Sequence, residues 1–219
     1  MPTFAVILPA AGSSTRYGGP RNKLHEILDG ATVLDRSIAA FQSRGDVACI
    51  IIPTRGSVEI TGDKVRVCDG GPSRAHSVLS ALRQVPADIE WVAVHDAARP
   101  LVAQSLIDRT LAAAIEHGAA VPALPVHLTI KQATGPLPAK VERTIPRQTL
   151  WAMQTPQIMR RTALLDAMIH CPIPLEQVTD DVQLIELAGG EVWLVDGDES
   201  NLKITTAIDL KIAEMHLRR

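Results

Sequence analysis

Short runs of β-branched and aliphatic residues take turns along this chain with stretches whose apolar residues recur at helical spacing. That alternation restricts the fold more than any other feature. Phe4 to Leu8 reads as a buried first strand, and Pro9 to Gly19 is full of turn-formers. Val33 to Arg44 carries Leu34, Ile38, Ala39 and Phe41 on one helical face, and Val47 to Ile52 is a strand stopped by Pro53. Lys64 to Cys68 is a third strand, Ser73 to Gln84 a helix with Val78, Leu79 and Leu82 inward, and Glu90 to Val94 a further strand. Gln104 to His117 is helical and Ala119 to Leu124 returns as a strand. Strands separated by helices imply right-handed crossovers and a largely parallel sheet, so the class is α/β. In such sheets ligands collect beyond the carboxyl ends of the strands.

The chain has 219 residues, enough for a single α/β domain over 1–219. Its residues are 46% hydrophobic but only 3% aromatic, so Ala, Val, Leu and Ile must fill the core. That composition suits a sheet covered by helices on both faces. The net charge of -2, from 22 basic and 24 acidic side chains, argues against a nucleic-acid or membrane-surface binder. Cys49, Cys68 and Cys171 lack metal-ligand or disulfide spacing and read as small apolar residues in a reducing compartment. The start, Met1-Pro2-Thr3-Phe4, has no basic region before its apolar run, and no stretch approaches bilayer length. A cytoplasmic location is expected.

The stretch from Pro125 to Gln157 breaks the rhythm. Thr129 to Gln132 and Lys140 to Ile145 read as two strands around a Gly/Pro-rich turn, Gly135 to Pro138, with little apolar material of their own. A two-stranded arm so poor in core needs something to pack on, and a partner subunit or a lid role would answer that need. Beyond it, Thr162 to Ile169 and Asp180 to Ala188 are helices, Glu191 to Val195 a strand and Ala207 to Leu217 a closing helix.

Three strand-end segments carry chemistry. In Leu8-Pro9-Ala10-Ala11-Gly12-Ser13-Ser14-Thr15-Arg16, small residues let backbone N–H groups approach phosphate oxygens, and Arg16 and Lys23 place two cations alongside. The Gly-Lys-Ser/Thr ending of a Walker loop and the three spaced glycines of a dinucleotide site are both absent. An ordinary strand-to-helix loop with solvated charges would look the same. The second segment is Asp69-Gly70-Gly71-Pro72-Ser73-Arg74-Ala75-His76-Ser77, where Ser73 can cap a helix and Arg74 and Ser77 occupy its first turns. Arg is disfavoured at a helix start, which suggests an anion there, although a capped helix with a surface Arg is the bland alternative. The third is His95-Asp96-Ala97-Ala98-Arg99-Pro100. Asp96 could bind a divalent cation, hold a ribose hydroxyl or orient a neighbouring Arg, while His95 reads as structural.

Taken in order with Leu150-Trp151, Thr155-Pro156-Gln157, Thr179-Asp180 and Asn201-Leu202-Lys203-Ile204-Thr205, these segments resemble the 2-C-methyl-D-erythritol 4-phosphate cytidylyltransferases of non-mevalonate isoprenoid synthesis. The resemblance covers nearly the whole chain. It implies a Rossmann-like nucleotidyltransferase fold with a mostly parallel sheet and a protruding β-arm, at about 125–157, that forms a homodimer. It implies that CTP is held by Ala10, Ala11, Gly12, Ser13, Gly70, Arg74, Ser77 and Asp96. Arg16 and Lys23 would stabilise charge on the α-phosphate and leaving pyrophosphate, joined as catalytic groups by Arg147 and Lys203. The acceptor, a small polyol phosphate, would meet Thr129, Arg99, Arg147, Thr155, Thr179 and Lys203, with Thr129 and Arg147 lent by the partner's arm. Mg²⁺ would bridge the triphosphate oxygens, with Asp96 the nearest protein group.

The chemistry agrees with that implication. A phosphate monoester acceptor is already anionic and needs no strong base, but two unit charges about 4 Å apart repel by roughly 4 kcal/mol at an effective dielectric near 20. Clustered cations offset that repulsion and align the attack. The chain departs from the family pattern in the arm, where Leu128 replaces an acidic residue, no clear Arg stands near His127, and Pro146 follows the second strand. Those positions read the acceptor. A ribitol- or glycerol-type phosphate cytidylyltransferase is therefore the closest rival, and a non-catalytic nucleotide-binding domain the second.

Overall fold

The computed structural model describes residues 2–12, 14, 17–18, 22–56 and 62–218. Strand β1 (Phe4–Ile7) leads through the first loop to a 3-10 turn at Lys23–His25 and a small hairpin, β2 (Ile27–Leu28) and β3 (Ala31–Thr32). Asp29 and Gly30 both take positive φ there, 47° and 82°, as a tight two-residue hairpin turn requires. Helix α1 (Val33–Gln42) starts at Thr32, whose hydroxyl accepts from the Asp35 N–H while the Asp35 carboxylate accepts from the Thr32 N–H. Then follow β4 (Val47–Thr54), β5 (Val65–Asp69), α2 (Arg74–Leu82), β6 (Trp91–Val94), α3 (Gln104–His117) and β7 (Ala119–Pro125). The arm is β8 (Ile130–Ala133) and β9 (Val141–Ile145), after which come β10 (Trp151–Met153), β11 (Gln157–Arg160), α4 (Arg161–Ile169), α5 (Asp181–Leu187), β12 (Trp193–Asp196) and α6 (Ala207–Leu217).

The main sheet runs β10-β7-β11-β6-β1-β4-β5, with β12 on the other edge of β7. Strands β6, β1, β4 and β5 pair in parallel, as do β12 and β7. Strands β10 and β11 run against their neighbours. The sheet is thus mostly parallel, as the alternation of elements requires. The antiparallel β11, wedged between β6 and β7, was not anticipated. Strand β10 lies within the stretch expected to leave the core and β11 begins at its last residue, so the exposed excursion is shorter than 125–157 and its last residues belong to the sheet.

Alternate residues of β1 point to opposite faces and found two cores. Phe4, Val6 and Leu8 pack with Leu34, Ile38 and Phe41 of α1 and Leu106, Ile107 and Leu111 of α3. Ala5 and Ile7 pack with Val78 and Leu82 of α2, Leu164 and Met168 of α4, and Val182 and Ile185 of α5. Burying apolar surface at about 25 cal/mol per Å² makes these two layers the main source of stability. The arm has no such layer: Leu128 and Leu137 are 77% and 88% exposed. Among the described residues no helix is long and apolar enough to cross a membrane.

Candidate active site

A cleft of about 360 Å³ opens where β1, β4, β5 and β6 end. One wall comes from the loop after β1. The Leu8 N–H donates to Ile51 O at 3.0 Å and the Ala10 N–H to Pro53 O at 2.9 Å, so strand pairing outlasts β1 and keeps Ala10 buried. Ala11 and Gly12 then face the cleft. Ser14, at φ 54°, donates through Oγ to Asn22 Oδ1 at 2.7 Å, and the same oxygen accepts from the Leu24 N–H at 3.1 Å. Asn22 so caps the turn that carries Lys23 to the cleft wall. The sequence reading passed over Asn22. Two of its expected residues, Ser13 and Arg16, lie outside the described residues.

The facing wall is the β5–α2 loop. Gly70 packs so tightly that a Cβ there would lie 2.5 Å from Ala11 Cβ and 3.2 Å from Thr54 O. Its N–H donates to Thr54 O at 2.7 Å, which ties this loop to the end of β4, where the Ala10 N–H of the first loop is also bonded through Pro53 O. Gly70 shapes the cleft from behind, while Gly71, Ser73, Arg74 and Ser77 line it. Ser73 caps α2, accepting from the His76 N–H, as expected. Ser77 Oγ accepts from the Gly71 N–H at 3.0 Å and donates to Ser73 O at 2.9 Å. Arg55, a further cation absent from the expected set, lines the cleft and donates to Gly71 O at 2.8 Å. Only its place two residues past Pro53, at the end of a buried strand, could have marked it.

Asp96 closes the floor as a hub of cations. Lys203 Nζ lies 2.9 Å from Oδ2, Arg74 Nη2 3.4 Å from Oδ1, and Arg99 Nε 3.6 Å from Oδ2. Burial alone would push this carboxyl up, but the charges of Arg74, Lys203 and Arg99 outweigh it and hold it far below the usual carboxylate range. Arg74, unusual at a helix start, meets protein anions: Nη1 is 2.7 Å from Asp181 Oδ2. Burial works against its charge, yet Asp181 and Asp96 carry its pKa above the ordinary value.

Behind Asp96 lies a closed chain of hydrogen bonds. Thr155 Oγ1 accepts from the Asp96 N–H at 3.0 Å and meets His95 Nδ1 at 3.0 Å, while His95 Nε2 meets Arg99 O at 3.1 Å. A carbonyl can only accept, so Nε2 carries the proton and Nδ1 receives the Thr155 hydroxyl. Burial then drives the His95 pKa down to about 4. Arg99 donates through Nη1 to Asn201 O at 2.7 Å, and Asn201 Nδ2 donates to Thr155 O at 2.8 Å. His95 is structural, as expected of a site whose reaction needs little proton transfer. Thr155 and Arg99, expected to meet the acceptor, are both buried and brace Asp96 from the rear.

The remaining expected residues stand apart from the cleft. Thr129 and Arg147 are exposed on the arm, where Arg147 Nη1 donates to His127 O. Thr179 is exposed before α5, with its N–H and hydroxyl on Gln183 Oε1 at 2.7 and 3.1 Å. The charged residues of the cleft itself are Lys23, Arg55, Arg74, Lys203 and Asp96 among the described residues, an excess of positive charge suited to phosphates. No cluster of three or more His, Cys, Asp or Glu side chains among the described residues could hold a metal. Asp96, already ringed by cations, does not form a protein cage for Mg²⁺.

A family model described as 2-C-methyl-D-erythritol 4-phosphate cytidylyltransferase matches residues 4–219. The enzyme of that name from Rhodopirellula baltica is 38% identical over 233 residues, covering 97% of this chain and 93% of the relative. The bifunctional enzyme IspD/IspF of Desulfotalea psychrophila is 37% identical over 227 residues; the match takes in 100% of this chain and 58% of that protein. The crystal structure of the Francisella tularensis 2-C-methyl-D-erythritol 4-phosphate cytidylyltransferase superposes with a TM-score of 0.86 at 31% identity, covering 97% of this chain and 99% of that one. Sequence over the full length and backbone path agree, and this chain belongs to the 2-C-methyl-D-erythritol 4-phosphate cytidylyltransferase family.

Proposed function

We propose that this chain transfers CMP from CTP to 2-C-methyl-D-erythritol 4-phosphate and releases pyrophosphate. The observation that carries the reading is the convergence of Lys203 and Arg74, from distant parts of the chain, on Asp96 at the floor of a cationic cleft. An acceptor phosphate oxygen forms a bond to the α-phosphorus of CTP. The bond from that phosphorus to the α,β-bridging oxygen breaks, and the electron pair leaves with pyrophosphate. No proton need move, so the work falls to positioning and charge compensation.

Ala11, Gly12, Arg74 and Ser77 hold the nucleotide in this scheme, with Ala10, Gly70 and Asp96 shaping its seat and Ser13 adding a hydroxyl donor. Lys23 and Arg16 receive the charge that builds on the α-phosphate and the leaving group. Lys203 guides the acceptor phosphate, with Thr179 close to its path and Arg99 and Thr155 keeping the floor rigid. Asp96 would be the cleft carboxylate nearest a Mg²⁺ accompanying CTP, and such an ion would supply charge compensation on the phosphates. The exposed arm supports a homodimer in which Thr129 and Arg147 complete the partner's acceptor site. The whole chain then acts as one nucleotidyltransferase domain. The three unpaired cysteines suit a cytoplasmic setting.

Pyrophosphate release with CTP and Mg²⁺ across a panel of polyol phosphates tests the reading. Preference for 2-C-methyl-D-erythritol 4-phosphate over ribitol and glycerol phosphates is expected. Equal use of all three, or none of any, would refute it.

A further inference from the structure

We propose that Asp181, which has no place in the scheme above, is a positioning residue that fixes the Arg74 guanidinium in the orientation that receives CTP. The proposal rests on the reading of the cleft as the CTP site. Asp181 is 1% exposed and stands behind the cleft wall. Its Oδ2 is 2.7 Å from Arg74 Nη1, and neither carboxylate oxygen has a hydrogen bond among the described residues beyond that ion pair. Arg74 is a third exposed and faces the cleft. With Nη1 on Asp181 and Nη2 on Asp96, both ends of the planar guanidinium are held where it lines the cleft.

Asp96 alone would hold Arg74 poorly. It lies farther away, at 3.4 Å, and it is shared with Lys203 at 2.9 Å and Arg99 at 3.6 Å. Among the described residues Asp181 pairs with Arg74 only. A carboxylate buried with one cation is costly for folding, so the arrangement calls for a reason other than stability. Burial does push the Asp181 carboxyl up despite Arg74, which is the mark of that cost.

The anchor is itself anchored. The Asp181 and Val182 N–H groups donate to Gln157 Oε1 at 2.8 and 3.1 Å. Gln157 Nε2 donates to Asp180 Oδ2 at 3.0 Å, and Asp180 Oδ1 accepts from the Gln183 N–H at 3.0 Å. Gln157 belongs to β11, which pairs with β6 at Gln157 and Val94, two residues before Asp96. Both carboxylates that grip Arg74 are therefore referenced to adjacent strands of one rigid sheet.

The sign of one substitution separates positioning from charge. Neutralising Asp181 makes the cleft more positive, so a purely electrostatic role predicts tighter CTP. Positioning predicts weaker CTP, because Arg74 loses its exclusive partner. In steady-state pyrophosphate release at saturating acceptor, Asp181→Asn is expected to raise the KM for CTP about tenfold with kcat within about twofold. In an Arg74→Ala background the same substitution is expected to change KM by less than about twofold. A lowered or unchanged KM in the single variant, or an undiminished rise in the double variant, overturns the proposal. Should thermal melts show Asp181→Asn unfolded, Arg74→Lys replaces it: one ammonium cannot bridge both carboxylates, so the same rise in KM is expected, and an unchanged KM overturns the proposal. Calorimetric CTP binding by each variant keeps the outcomes distinct, since a wild type that binds CTP without turnover would refute the proposed reaction and leave the Asp181 comparison readable.

Discussion

Lys203 Nζ lies 2.9 Å from Asp96 Oδ2, a contact between the loop ahead of the last helix and the turn after β6. It pins the C-terminal loop across the cleft floor, and the Ile204 N–H adds a bond to Ala98 O at 2.8 Å. Lys203 and Lys23 thereby both line the cleft, each from its own segment of the chain.

Lys203→Ala is expected to lower kcat roughly a hundredfold, the usual scale for losing one positioned charge that acts in the transition state. CTP affinity by calorimetry should change little, because the nucleotide is held from the other walls. A parallel loss of CTP binding would move Lys203 to the nucleotide side.

Gly70→Ala places a methyl 2.5 Å from Ala11 Cβ, between two loops that are each hydrogen-bonded to the end of β4. Stability should fall by about 1–3 kcal/mol in denaturant titrations, as for other overpacked sites, and CTP binding should weaken with it. Retention of both would mean that the loops separate freely.

His95 makes stability depend on pH in a defined window. Its folded pKa is lowered to about 4 from 6.5, so the unfolded chain binds the extra proton first. The contribution is whole above the unfolded value and is lost as pH falls from 6.5 through about 4. Asp96, with its folded pKa depressed, adds a loss at lower pH still. Thermal midpoints should drop across that range, and His95→Asn should be less stable at neutral pH yet flatter below it.

Mixed subunits test the arm. If Arg147 serves the neighbouring site, dimers of one Arg147→Ala and one Lys23→Ala subunit contain one site with both residues intact. They should recover up to about half of wild-type activity while each parent dimer stays low. Verified mixed dimers without recovery would assign Arg147 to its own subunit.

The α/β class was legible because β1, β4, β6 and β7 are continuous aliphatic runs and α1, α2 and α3 keep one apolar face. The cleft was legible in part for the same reason: its residues follow strand ends in the chain. What escaped the sequence is non-local. Gln157–Arg160 is four residues after a Pro, with no alternation to mark it, and it becomes a strand only because β6 and β7 flank it. Asp181 carried no mark in the sequence, since its partner Arg74 lies far back in the chain. Thr155 and Arg99 read as acceptor contacts in the sequence, which gives no depth, and only the fold puts them behind Asp96. The β2–β3 hairpin was a signal overlooked, because Asp29-Gly30 is the dipeptide such turns favour.

The feet of the arm are bonded neighbours: Trp151 pairs with Pro125, and the Val126 N–H reaches Leu150 O at 3.3 Å. Everything between them leaves and re-enters the sheet at a single doorway. Replacing that span with a tight turn would leave every rung of the core ladder in place, and circular dichroism of such a trimmed chain should be that of a folded α/β body. The excursion is thus free to lengthen, shorten or change its reading of a ligand without renegotiating the scaffold that carries it.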